Sequence, residues 1–173
     1  MTEFSRVERL DTIGEEERTV TVTASEAERA ALARRFRLVA IDRLDGQFKI
    51  RRETGGIAAR GQVTAAVVQA CAVTGEPVAQ AVDEAVALRF VEPTAGGEEE
   101  IELAGDALDT IEIEGGGIDL GEAAAETMAL ALDPFPRSPG AASMLRDAGV
   151  LSEEEAGAFG ALAGLKARLE GKA

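Results

Sequence analysis

Leu38-Val39-Ala40-Ile41-Asp42-Arg43-Leu44-Asp45-Gly46-Gln47-Phe48-Lys49-Ile50-Arg51-Arg52 alternates apolar and polar side chains on either side of an Asp-Gly pair. Period-2 alternation marks a half-buried strand, and Asp-Gly is a strong two-residue hairpin signal. The stretch therefore reads as two strands, 38–44 and 47–52, joined at Asp45-Gly46. That turn pairs Leu44 with Gln47, Asp42 with Lys49 and Ile41 with Ile50. Val39, Ile41, Phe48 and Ile50 then share one face, and Asp42, Lys49 and Arg51 the other, with unlike charges opposed.

Working outward, residues 18–23 alternate as Arg-Thr-Val-Thr-Val-Thr, a further strand. Ser25 followed by Glu28 forms a capping box for a helix over 26–36, which turns Ala27, Ala31 and Leu32 inward. Residues 62–73 and 78–91 are rich in β-branched side chains around Thr74-Gly75-Glu76-Pro77 and predict a second, longer hairpin. Their alanine content leaves a helix in either arm as the alternative. Thr110-Ile111-Glu112-Ile113 predicts a short strand, and Gly115-Gly116-Gly117 a turn. Asp119, with Glu122 completing a capping-box variant, caps a helix that runs to about Leu132 and is apolar nearly all round, hence buried. Pro134 and Pro136 stop it. The chain is irregular from Arg137, and a last helix spans 152–170, weakened by Gly157, Gly160 and Gly164.

The fold class this implies is α+β. Antiparallel hairpins form a sheet or partial barrel, packed by the buried helix near 119–132 and by flanking helices. One domain accounts for residues 1–173, with a flexible acidic loop at 93–100 and a C-terminal helical extension at 138–173.

Composition excludes more than it assigns. The 173 residues contain no histidine and one cysteine, Cys71. The commonest general base and nitrogen metal ligand are thus missing, and neither an internal disulfide nor a cysteine zinc cluster can form. Carboxylates remain able to bind Mg²⁺ or to work as an acid/base pair, so enzymes are not strictly excluded, but nothing positive argues for one. The expectation is a protein that is not an enzyme and uses no cofactor, metal or small-molecule substrate. No apolar run approaches the ~20 residues of a membrane span, and the opening residues lack a signal-peptide layout. The expected compartment is the cytoplasm.

Net charge is −14, unevenly spread. Arg34, Arg35, Arg37, Lys49, Arg51, Arg52 and Arg60 lie in a basic segment, whereas between Glu76 and Glu126 Arg89 is the sole cation. These seven residues are candidates for contact with RNA phosphates or with a partner. The competing reading is that they neutralise the chain's own acidic half. The absence of Tyr and Trp argues against base stacking. Gly115-Gly116-Gly117 before a helix suggests a phosphate loop, but it lacks a lysine and is crowded by Glu112, Glu114, Asp119 and Glu122, so a tight turn is the better reading. Glu98-Glu99-Glu100 with Glu102 reads as a solvated loop rather than a cation site, because consecutive carboxylates diverge. Cys71 sits in an apolar stretch and reads as a buried small hydrophobe.

Two segments carry a resemblance. Val67-Val68-Gln69-Ala70-Cys71-Ala72-Val73-Thr74-Gly75-Glu76-Pro77-Val78, together with Ile118-Asp119-Leu120-Gly121-Glu122-Ala123-Ala124-Ala125-Glu126-Thr127-Met128-Ala129-Leu130-Ala131-Leu132-Asp133-Pro134-Phe135-Pro136-Arg137, resembles the bacterial YceD-like family, the large ribosomal RNA subunit accumulation proteins. The matching motif residues are Cys71, Asp119, Leu120, Glu122, Glu126, Pro134, Pro136 and Arg137. The resemblance implies a single YceD-like domain and a cytoplasmic, non-catalytic ribosome-biogenesis factor that supports accumulation or processing of 23S ribosomal RNA. Its implied partners are a ribosomal RNA precursor or a basic ribosomal or maturation protein, with no membrane. An acidic protein–protein adaptor unrelated to ribosomes is the alternative. Many relatives carry a second cysteine three residues after the first, where this chain has Thr74. A role resting on that pair cannot operate here.

Overall fold

A computed structural model describes residues 3–93, 109–113 and 115–150. The chain forms two compact units, one of Met1–Gln69 with Ala79–Pro134 and the other of Ala70–Val78 with Phe135–Ala173. The expected final helix, and the acidic loop beyond Pro93, lie outside the described residues.

The first unit is α+β. Strands β1 (Val7–Arg9), β2 (Arg18–Thr23), β3 (Ala40–Glu53), β4 (Gly56–Ala70), β5 (Pro77–Val91), β6 (Asp109–Glu112) and β7 (Gly117–Asp119) accompany helices α1 (Glu26–Arg35) and α2 (Leu120–Leu130). The sheet is open, in the order β2-β3-β4-β5-β6, and β1 pairs separately with β7. Strand β2 pairs antiparallel with β3 and β3 with β4, but β6 lies parallel to β5, which local patterning did not anticipate.

The expected turn at Asp45-Gly46 is not a turn. Strand β3 runs straight through it, and Gly46 pairs with Val22 on one side and Val63 on the other. The glycine answers a packing demand, since a Cβ there would lie 2.7 Å from the Phe48 ring, 3.0 Å from Val22 and 3.3 Å from Ala124 of α2. The reversal comes at Thr54-Gly55, where Gly55 has φ 87°, a left-handed conformation glycine adopts without strain. Leu44, Gln47 and Lys49 accordingly pair with Ala65, Gln62 and Arg60 of β4. The expected inward face holds for Ile41, Phe48 and Ile50, while Val39 is exposed. A register shift between Ile41 and Arg43 lets both Ile41 and Leu44 reach the core.

Local signals for the helices carry through. Ser25 Oγ accepts from the Glu28 amide and the Glu28 carboxylate accepts from the Ser25 amide, completing the capping box. Helix α1 buries Leu32 and Ala33, whereas Ala27 is exposed. It ends with Leu38 N donating to Ala33 O and Arg37 N to Arg34 O. This is a Schellman motif, with Arg37 at φ 56° where glycine is usual. Helix α2 begins at Asp119, whose side chain accepts from the Gly121 and Glu122 amides. It buries Leu120, Ala123, Ala124, Ala125 and Met128 against the sheet, and its small residues permit the close approach at Gly46. Leu130 departs from the all-round burial expected of this helix, being 88% exposed.

In the second unit, the described residues after Arg137 are more regular than expected. They include helix α3 (Ala141–Asp147), which buries Ala141.

Candidate functional site

The basic segment does not form an open cationic face. Arg35 Nη1 donates to Glu122 Oε2 at 2.9 Å and to Glu3 Oε2 at 3.1 Å, and its Nη2 donates to Glu122 Oε1 at 2.5 Å. Lys49 lies 3.4 Å from Glu17. Glu53 gathers Arg51 at 2.5 Å, Arg60 at 3.3 Å and Arg89 at 3.9 Å, cations from three neighbouring strands. Hydrogen bonding from Arg51, outweighing burial, holds the Glu53 carboxyl below its usual range. Arg52 donates to the carbonyls of Ile13 and Leu10, which ties down the short 3-10 turn Leu10–Thr12. Only Arg34 and Arg37 of the seven candidates have no ion pair or side-chain hydrogen bond among the described residues.

A groove of about 580 Å³ opens between α2 and strands β5 and β6. Val86, Leu88 and Ile111 supply its strand side, while Ala123, Thr127, Leu130 and Ala131 supply its helix side. Glu84, Asp109 and Glu126 also line it, and among the described residues no lysine or arginine does. Sequence reading missed this site. Its two walls are separated along the chain by a stretch with no periodic signal linking them.

The second unit centres on Cys71. The thiol is 4% exposed, as expected for a buried cysteine, but its surroundings are polar. Sγ accepts from the amides of Ser138 at 3.2 Å, Thr74 at 3.3 Å and Val73 at 3.4 Å. Burial opposes the thiolate, but the Ser138 amide and Thr74 and Ser138 hydroxyls outweigh it and pull the thiol down to about 6. Thr74 Oγ1 also lies 3.1 Å from Ser138 Oγ and donates to Glu76 Oε2 at 3.0 Å. The Pro136 carbonyl accepts from the Ala72 amide, giving this motif proline a structural role.

The other motif residues are also placed. Asp119 caps α2 and accepts from Ser5 Oγ and the Arg6 amide, Leu120 is buried, and Glu122 holds Arg35 instead of completing a capping box. Glu126 lines the groove, while Pro134 and Arg137 are exposed. Gly115-Gly116 turns the chain into β7 with φ 69° and 82°, as the tight-turn reading expected. The candidate residues Glu98, Glu99, Glu100 and Glu102 lie outside the described residues. Among the described residues no three His, Cys, Asp or Glu side chains converge as metal ligands, and no helix is long and apolar enough to cross a membrane.

A family model described as large ribosomal RNA subunit accumulation protein YceD matches residues 59–166, more than half of the chain. No curated protein and no solved structure matches it.

Proposed function

The chain belongs to the family of the large ribosomal RNA subunit accumulation protein YceD, and on that premise we propose that it is a non-catalytic, cytoplasmic factor that supports accumulation of 23S ribosomal RNA by docking a basic protein. The family assignment supports the tie to large-subunit RNA. The observation favouring a protein partner over phosphate is the engagement of the arginines. Arg35, Arg51 and Arg60 bond the chain's own carboxylates, and the sequence as a whole carries a net charge of −14. Such a charge balance repels a phosphate backbone and attracts the lysine- and arginine-rich surfaces typical of proteins that themselves bind RNA. A chain without histidine and with one cysteine supports a non-catalytic role.

A second reading is favoured by one observation. Arg34 and Arg37 have no carboxylate partner among the described residues and are exposed. Direct RNA contact through them requires affinity that falls steeply with salt and drops in R34A/R37A.

The experiment is depletion of the protein in cells, followed by the ratio of large- to small-subunit ribosomal RNA. A selective fall in the large-subunit RNA is expected. An unchanged ratio with depletion verified overturns the ribosomal role and leaves an adaptor acting elsewhere.

A further inference from the structure

We propose that the groove between α2 and strands β5 and β6 docks a cationic, amphipathic segment of a partner protein. The proposal deepens the docking reading above and rests on it. Three features point to this occupant. Val86 and Leu88 give the groove an apolar floor, and Leu130 stands beside it almost wholly in water. A leucine so placed offers apolar area that burial beneath a partner stabilises.

The charges around that apolar surface have one sign. Glu84, Asp109 and Glu126 line the groove, and no cation lines it among the described residues. Leu130 and Ala131 sit at the C-terminal end of α2, which carries no basic residue in its last turn. The negative end of the helix dipole therefore adds to the three carboxylates. An occupant with apolar side chains on one face and lysine or arginine beside them satisfies both parts of the site. Nucleic acid meets three carboxylates. A second copy seated symmetrically on the same face brings the same acidic groups against them.

The test uses the full chain and a fluorescein-labelled synthetic peptide with leucine and lysine at helical spacing. Controls replace its leucines by serine or its lysines by glutamate. The leucine–lysine peptide is expected to bind and to shift the methyl resonances of Val86, Leu88, Ile111 and Leu130, with both controls much weaker. Leu130→Arg, a change at an exposed position, is expected to weaken binding about tenfold, and E84Q/E126Q to weaken it and flatten its salt dependence. Met144→Ala, another exposed apolar site, should leave affinity unchanged.

Equal binding of the serine control, methyl shifts confined to other residues, or undiminished binding by Leu130→Arg overturns the proposal. So does a self-association abolished by Leu130→Arg in place of peptide binding, or an RNA oligonucleotide that shifts the same methyls. If the peptide fails to dock while depletion still lowers large-subunit RNA, the groove proposal alone falls. If it docks as expected while the RNA ratio is unchanged, the ribosomal reading falls and the groove stands.

Discussion

Arg35 at the end of α1 grips Glu122 in the first turn of α2 through two hydrogen bonds, of 2.9 and 2.5 Å, across 87 residues of chain. The pair joins two helices that both pack against β3, and the guanidinium stays protonated beyond its usual range, chiefly because of that hydrogen bonding. Partial exposure limits its worth, yet a forked pair exceeds an ordinary surface contact. Arg35→Ala is expected to lower stability by about 1–2 kcal/mol, whereas Arg34→Ala, one position earlier, stays within about 0.5 kcal/mol. Urea unfolding of both variants checks the contrast, and equal midpoints reject it.

Arg37 occupies the left-handed position that closes α1, where a side chain costs about 1 kcal/mol relative to glycine. Arg37→Gly should therefore raise stability by about 0.5–1 kcal/mol, part of the gain being offset by the freer unfolded chain. A lowered thermal midpoint would show that the arginine side chain stabilises the folded state in another way.

A methyl group at Gly61 would fall on the Gln47 carbonyl oxygen of the neighbouring strand, a backbone atom that cannot swing aside. Gly61→Ala is expected to cost about 3 kcal/mol. Gly14→Ala meets nothing within 4 Å and should be within about 0.5 kcal/mol of the parent. Comparable losses in the two variants, measured by denaturant unfolding, contradict this packing account.

Glu28 is held down to about 2, first by hydrogen bonding from Arg6 Nη1 and Nη2, at 2.8 and 3.0 Å. Its ordinary value is 4.5, so its stabilising effect is fully present above about pH 4.5 and is lost as pH falls through about 2. With allowance for the exposed arginine, Glu28→Gln should lower stability by about 1 kcal/mol at neutral pH. The difference between variant and parent should shrink steadily on acidification. Unfolding midpoints that run parallel down to low pH would refute it.

The Cys71 thiol should titrate near 6, visible as thiolate ultraviolet absorbance that is missing in Cys71→Ala. Because the folded value lies below the ordinary 9.0, the thiolate's contribution to stability grows as pH rises between the two. Thr74→Val removes a hydroxyl partner and should move the midpoint up. Its burial should still slow reaction with a bulky maleimide. An unshifted midpoint in Thr74→Val would remove Thr74 from the account.

What could be read from sequence was local. The Ser25–Glu28 box, the alternation of β2 and Asp119 as an N-cap each lie within a few residues and take the expected form, while Glu122 turns to Arg35 instead of closing a second box. Asp45-Gly46 misled because glycine serves two demands, left-handed backbone and close approach, and only the distant Ala124 shows which applies. Thr54-Gly55-Gly56 carried the true reversal. The parallel placement of β6, the Arg35–Glu122 grip and the groove depend on partners far apart in the chain. Periodicity says nothing about such pairings.

The pairing of β1 with β7 carries a consequence for the timing of synthesis. Arg6 donates to Asp119, 113 residues later, and Phe4 is wholly buried in the finished fold. A ribosome adding about 5–20 residues per second needs roughly 6–23 s to make the stretch between them. Throughout that interval the nascent chain has no β7 for β1 to join, and Phe4 waits without α2, whose Gly121 packs against its backbone in the finished fold, open to chaperone holdases or to other nascent chains. The last steps of native pairing in this unit thus await translation through residue 119, however quickly the β2–β3–β4 meander forms behind it.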